Sequence, residues 1–179
     1  MKKLIFFLII AVGTIQANAQ FSKATLQANG LTCALCSNAI NKSLQKVGFV
    51  ESVKSDIKNT AFNIRFKQGS EVNVDQIRKA VEEAGFSVGS LTLTGDFNNL
   101  KVENDKHHKI GNANFHFVNV KDQVLNGEQT ITIVDKNFVS DKTFKAIKAT
   151  TKKDCINTGK ASHCCSDVAQ GARIFHTTI

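Results

Sequence analysis

The sequence predicts an α+β protein in two parts, a β-α-β-β-α-β unit over residues 20–94 and a smaller mainly-β unit over residues 95–179. Three observations carry that expectation. Apolar residues recur at helical spacing in two stretches, Cys36, Ile40, Leu44 and Val47, then Val74, Ile77, Val81 and Ala84. Strict alternation sets Phe62, Ile64 and Phe66 on one face of a strand, with Asn63 and Arg65 on the other. From Gly95-Asp96 onward the texture changes to short strand-like runs.

Residues 1–19 read as a secretory signal. Met1-Lys2-Lys3 is positive, Leu4 to Val12 is apolar, and Ala17-Asn18-Ala19 offers a small-residue cleavage site before Gln20. The apolar run falls short of the about 20 residues that a membrane span needs. The expectation is a cleaved, periplasmic or secreted protein with no integral membrane segment after cleavage. Loss of Lys2 and Lys3 lowers the formal charge from +8 to +6. Those charges are dispersed along the chain, which fits a solvated basic surface and gives no reason to expect a nucleic-acid partner.

Within the first unit, Phe21 to Ala28 is strand-like and stops at Asn29-Gly30. A helix follows from Cys36 towards Gly48, and Phe49 to Asp56 forms a second strand. Lys58-Asn59 turns the chain into the third strand, Thr60 to Phe66. Asn73, with Gln76 three residues later, is placed to cap a second helix that ends at Gly85, and Ser87 to Leu93 closes the unit. This order is the split βαβ, or ferredoxin-like, arrangement, with two helices on one face of a four-stranded antiparallel sheet.

The chemistry centres on Gly30-Leu31-Thr32-Cys33-Ala34-Leu35-Cys36-Ser37. Cys33 falls in the loop after the first strand and Cys36 in the first turn of the first helix. The unpaired amides and positive dipole end there favour anionic sulfur. Two converging thiolates select soft ions, and a low coordination number suits copper(I) better than tetrahedral zinc. A c-type haem site would need His at position 37, which is Ser, and a zinc ribbon would need a second C-x-x-C pair. A periplasmic thiol-disulfide redox protein using the same pair is the alternative, although this chain contains no proline and thioredoxin-like folds set a cis-proline beside their dithiol.

Together Asn29 to Cys36, Ile40, Leu44, Val47-Gly48, Val53, Asp56 and Ala80-Val81-Glu82-Glu83-Ala84-Gly85-Phe86 resemble the heavy-metal-associated domain. That family includes copper chaperones, the N-terminal modules of copper-transporting P-type ATPases and the periplasmic mercury-binding protein. The resemblance covers about residues 24–93. It implies that Cys33 and Cys36 ligate the metal, that Phe86 lies near the metal loop, and that Leu31, standing where the family usually has Met, packs beneath that loop.

In the second unit, Leu100 to Glu103, Asn114 to Val120, Gln129 to Val134 and Ala172 to Thr178 are strand candidates. Ser140 could cap a helix through Phe144 and Ile147, with a strand over Thr143 to Thr150 as the competing assignment. Four or five strands with one helix suggest a small barrel of OB-like form. Cys155, His163, Cys164, Cys165 and His176 crowd into 22 positions. They offer either a disulfide from Cys155 to Cys164 or Cys165, or a second soft-metal site. His107-His108, beside Lys106 and Lys109, reads as an exposed loop.

The function expected is an exported heavy-metal binding protein that carries, buffers or hands over copper(I), with zinc, mercury and cadmium as other ions of suitable softness. Metal donor or acceptor proteins, such as a membrane metal transporter, are the expected partners. No general base, phosphate loop or serine nucleophile motif stands out, so catalysis is not expected.

Overall fold

The computed structural model describes residues 20–31 and 34–179, so the expected signal segment and Cys33 lie outside the described residues. Its elements are β1 (Gln20–Asn29), α1 (Ala34–Gln45), β2 (Val50–Asp56), β3 (Ala61–Phe66), α2 (Val74–Glu83), β4 (Ser87–Val102), β5 (Lys106–Ile110), β6 (Ala113–Phe117), β7 (Gln123–Ile133), α3 (Asp141–Lys148), α4 (Cys155–Thr158) and β8 (Ile174–Thr178).

The first six elements follow the sequence patterns closely. In β3, Phe62, Ile64 and Phe66 are buried while Asn63 and Arg65 are exposed. Helix α1 buries Ile40 and Leu44, and α2 buries Val74, Ile77, Ala80 and Val81. The Asn73 side chain accepts from the Gln76 amide at 3.1 Å, satisfying one of the four amides left open at the start of α2. Both helices pack against each other, α1 also on β2 and α2 on β4. The strands run in the order β2-β3-β1-β4, as a ferredoxin-like unit requires.

Beyond that unit the sheet continues rather than ending. All eight strands form one sheet in the order β2-β3-β1-β4-β7-β8-β6-β5. The expected barrel is therefore replaced by an open sheet whose edges are β2 and β5. The reason lies in β4, which runs for 16 residues and pairs with β1 on one side and β7 on the other. Strand β7 covers what would otherwise be an open ladder edge of the first unit. The expected boundary at residues 94 and 95 falls inside β4, and Leu100 to Val102 are its far end. Gly95 marks a close approach of two strands: a Cβ there would lie 2.7 Å from the Gln20 carbonyl oxygen.

One core serves both parts. Leu26, Phe62, Ile77 and Leu91 belong to the same apolar cluster as Phe97, Phe115, Ile131 and Phe175. Phe21 of β1 meets Phe97 and Phe115 edge to face, with centroids 6.2 and 5.5 Å away.

In the second part, the Ser140 hydroxyl caps α3 by accepting from the Thr143 amide at 3.1 Å, which decides residues 143–150 for helix over strand. Ala113–Phe117, Gln123–Ile133 and Ile174–Thr178 realise the other strand candidates with shifted ends. Strand β5 and the short α4 have no counterpart among the sequence expectations. Among the described residues no helix is long and apolar enough to cross a membrane.

Candidate metal centres

Asn29 ends β1 and Gly30 turns the chain with a φ of +81°. That left-handed value suits glycine, which has no Cβ to clash with its own backbone. Leu31 is partly buried against the core. Cys36 is half-buried in the first turn of α1, while Leu35 beside it is 79% exposed. Phe86 packs partly on the core and reaches the turn, its Cδ1 lying 3.9 Å from where a Gly30 Cβ would stand. A soft ion bound here would sit at a helix N-terminus near the protein surface.

A second constellation occupies the other end of the sheet. Hairpin register sets His107 of β5 opposite His116 of β6, and parallel register sets His116 beside His176 of β8. Three histidines therefore form a row across adjacent strands, with ring centroids 4.6 Å apart for the first pair and 5.1 Å for the second. Helix α4 lays Cys155 against that row. The Cys155 sulfur lies 3.7 Å from His107 Nε2, 3.7 Å from His116 Nδ1 and 3.4 Å from His176 Nε2.

Each imidazole turns its other nitrogen to a carboxylate. His107 Nδ1 meets Asp167 at 2.9 Å, His116 Nε2 meets Asp105 at 2.9 Å, and His176 Nδ1 meets Asp135 at 2.5 Å. A carboxylate only accepts, so these contacts fix the ring protons on the far side and leave three lone pairs aimed at one sulfur. Asp105 is held for this task by a left-handed turn, φ +62°, and its amide donates to the Phe117 carbonyl at 2.8 Å.

Cys165 and Cys164 complete the neighbourhood. Their sulfurs are 3.4 Å apart, and with Cys155 they form a group of thiols within 4.8 Å of one another. His107, His116 and Cys155 form another such group, so Cys155 belongs to both. Cys155, His116 and His176 are wholly buried, and the His107 side chain is 2% exposed.

Burial sets the charge states. It pushes the Cys155 thiol upward, aided by Cys165, and pushes the Cys165 thiol upward as well. Burial, with His176 and His107 adding repulsion, brings His116 down to about 4, leaving a neutral imidazole with a free lone pair. Burial likewise lowers His107 against the pull of Asp167. Cys164 behaves oppositely, coming down to about 7 chiefly through the Ser162 hydroxyl, 3.2 Å from its sulfur.

Sequence reasoning locates part of this cluster. Cys155, Cys164, Cys165 and His176 come together, all three cysteines as unbridged thiols. His163 is exposed and joins neither group of ligand-competent side chains. His107, which the sequence assigns to an exposed loop, lies on β5 with its side chain buried, and sequence reasoning misses His116 altogether. Alternation could have pointed to both, since His107 and His116 interrupt runs that otherwise read as strand, but only their register brings them together.

Residues 25–87 match the family model of the heavy-metal-associated domain. Over 65 residues the chain is 35% identical to a copper-transporting ATPase of Helicobacter pylori, a match covering 36% of this chain and 9% of that protein. It is 27% identical over 67 residues to the copper chaperone CopZ of Staphylococcus aureus, covering 37% of this chain and 97% of the chaperone. A solved CopZ metallochaperone aligns with 37% of this chain and 98% of its own, at 27% identity and a TM-score of 0.35. The matched segment thus spans only a small part of the ATPases but nearly the whole chaperone, and the match to the heavy-metal-associated domain is confined to residues 25–87.

Proposed function

We infer that this protein is an exported copper(I) binding protein whose cargo is taken up by Cys33 and Cys36 and passed to another protein. The observation that carries this reading is the C-x-x-C pair at the head of α1, inside the segment that matches the heavy-metal-associated family. Copper is favoured because the matched relatives are a copper chaperone and copper-transporting ATPases, and because two thiolates suit an ion of low coordination number.

Transfer proceeds by ligand exchange. An incoming thiolate binds the ion and displaces one cysteine while the other still holds it, so the ion is never released to water. Placement of Cys36 in the first helical turn beside the exposed Leu35 supports access by such a donor or acceptor. Zinc, mercury and cadmium share the softness that the pair selects. The export assignment rests on the signal-like character of residues 1–19.

Anaerobic titration of the reduced protein with copper(I) against a chromophoric chelator tests the reading. Cys33→Ser/Cys36→Ser should bind one equivalent fewer than the unaltered chain. An unchanged stoichiometry and affinity in the variant would remove the dithiol from the function.

A further inference from the structure

We propose that the second half of the chain holds its own copper(I) site, with His107, His116 and Cys155 as ligands. This site is separate from the dithiol, from which it differs in ligand type and burial.

The geometry is that of a site already assembled. A tetrahedral or trigonal ion with metal–sulfur bonds of about 2.3 Å and metal–nitrogen bonds of about 2.0–2.1 Å separates sulfur from nitrogen by about 3.6–3.8 Å. The observed separations of Cys155 Sγ from His107 Nε2 and His116 Nδ1 are both 3.7 Å. All three ligand atoms lie within 4.8 Å of one another. The nitrogens that face the sulfur are the ones left unprotonated by the contacts to Asp167 and Asp105. Carboxylates behind metal-ligating histidines serve to fix ring orientation and raise ligand basicity.

A hydrogen-bonded core accounts less well for the same residues. Thiols are weak donors and weak acceptors, and one thiol proton can serve only one of three imidazoles at a time. Burying three imidazoles and the Asp135 carboxylate for contacts of 3.4–3.7 Å to one sulfur would cost more than an apolar core of the same shape. A nucleophilic Cys-His-Asp arrangement fits less well too, because Cys155 is wholly buried and such chemistry uses one imidazole.

The ligand set decides the ion. Two neutral imidazoles and one thiolate make a three-coordinate site of two nitrogens and one sulfur, which suits copper(I), whereas zinc would take a fourth ligand. His176, 3.4 Å from the same sulfur but outside the compact group, flanks the site, and Cys165 lies close to Cys155 in the neighbouring thiol group. On binding, the ion replaces the Cys155 thiol proton, which passes to solvent, with no change of oxidation state.

The test uses the full chain carrying Cys33→Ser/Cys36→Ser, so that only the second site can respond. Titrated anaerobically with copper(I) against a chelator, it should bind one equivalent, and X-ray absorption should show nitrogen and sulfur together at the copper. Adding Cys155→Ser should abolish that binding, and adding Asp105→Asn, which keeps every ligand, should weaken it about 10–100-fold. Circular dichroism of each variant separates loss of ligand from loss of fold. Absence of copper binding in a folded Cys33→Ser/Cys36→Ser chain would overturn the proposal. So would copper surrounded by sulfur alone and indifferent to His107→Gln, or a site that takes zinc(II) and not copper(I).

Discussion

Arg173 donates from Nε to Asp75 Oδ2 at 2.9 Å, tying the residue before β8 to the first turn of α2. The same guanidinium reaches the buried carboxylate of Asp135 at 2.8 Å and lies over the Phe175 ring at 4.1 Å. Asp135 in turn accepts from the backbone amide of His176 at 3.1 Å. One arginine thus connects the segment that matches the heavy-metal-associated family to the carboxylate that orients the last histidine of the row.

Arg173→Met is expected to lower the stability of the whole chain by about 1.5–3 kcal/mol, since it strips Asp135 of its cation in a buried setting. Asp75→Asn should cost less, about 0–1 kcal/mol, because that carboxylate is partly exposed. Urea unfolding of the two variants checks the ranking. Equal losses would mean that the contact to α2, rather than Asp135, is what Arg173 stabilises.

Gly95→Ala should destabilise by about 1–3 kcal/mol, as a methyl group 2.7 Å from the Gln20 carbonyl must push β1 and β4 apart. Gly48→Ala is the matched control. Nothing lies within 4 Å of a Cβ there and its backbone needs no left-handed φ, so that change should be neutral or slightly stabilising. Thermal unfolding of both variants decides whether crowding, and not the loss of a glycine as such, is responsible.

At the dithiol turn the strain is of another kind. Gly30→Ala should cost about 1–2 kcal/mol through its φ of +81° alone, because Phe86 at 3.9 Å is in ordinary contact with the added methyl. Phe86→Ala should therefore give no relief, and the double variant should be additive to within about 0.5 kcal/mol. A coupling larger than that in denaturant unfolding would locate the strain in the side chain.

Acid should weaken the hairpin between β2 and β3. The Asn59 side-chain amide, at 2.7 Å, and its backbone amide, at 3.2 Å, hold the Asp56 carboxyl below its ordinary value of 3.8. A carboxyl lowered in the folded state stabilises the fold above its unfolded pKa and loses that contribution as pH falls through the folded one. Carbon-detected titration should find Asp56 below 3.8, and Asn59→Ala should return it towards that value. A titration unchanged by the substitution would remove Asn59 as the cause.

Local patterns carry the first six elements well. Alternation in β3, the Asn73 cap and the glycine at residue 85 each act within a few residues, so their physics is written where it operates. The same holds for the C-x-x-C pair, whose two cysteines stand three positions apart where the helical pattern begins. Misassignments gather where pairing partners are distant. Short strands alone do not say which edge they join, which is why they suggest a barrel, and nothing local joins the strand signal at Leu100 to the strand begun at Ser87 or sets β7 along its free side.

What the sequence by itself determined is therefore the β-α-β-β-α-β unit that matches the heavy-metal-associated family, since periodicity and capping fix it at short range. Tertiary structure alone decided how the second cluster is assembled and that His107 and His116 belong to it. His107, His116 and His176 come from three strands, and Cys155 from a four-residue helix that no periodicity announces. They meet only because side chains alternate along a strand: a slip of one residue in either pairing would send a histidine to the opposite face, and register is settled by the packing of the whole sheet.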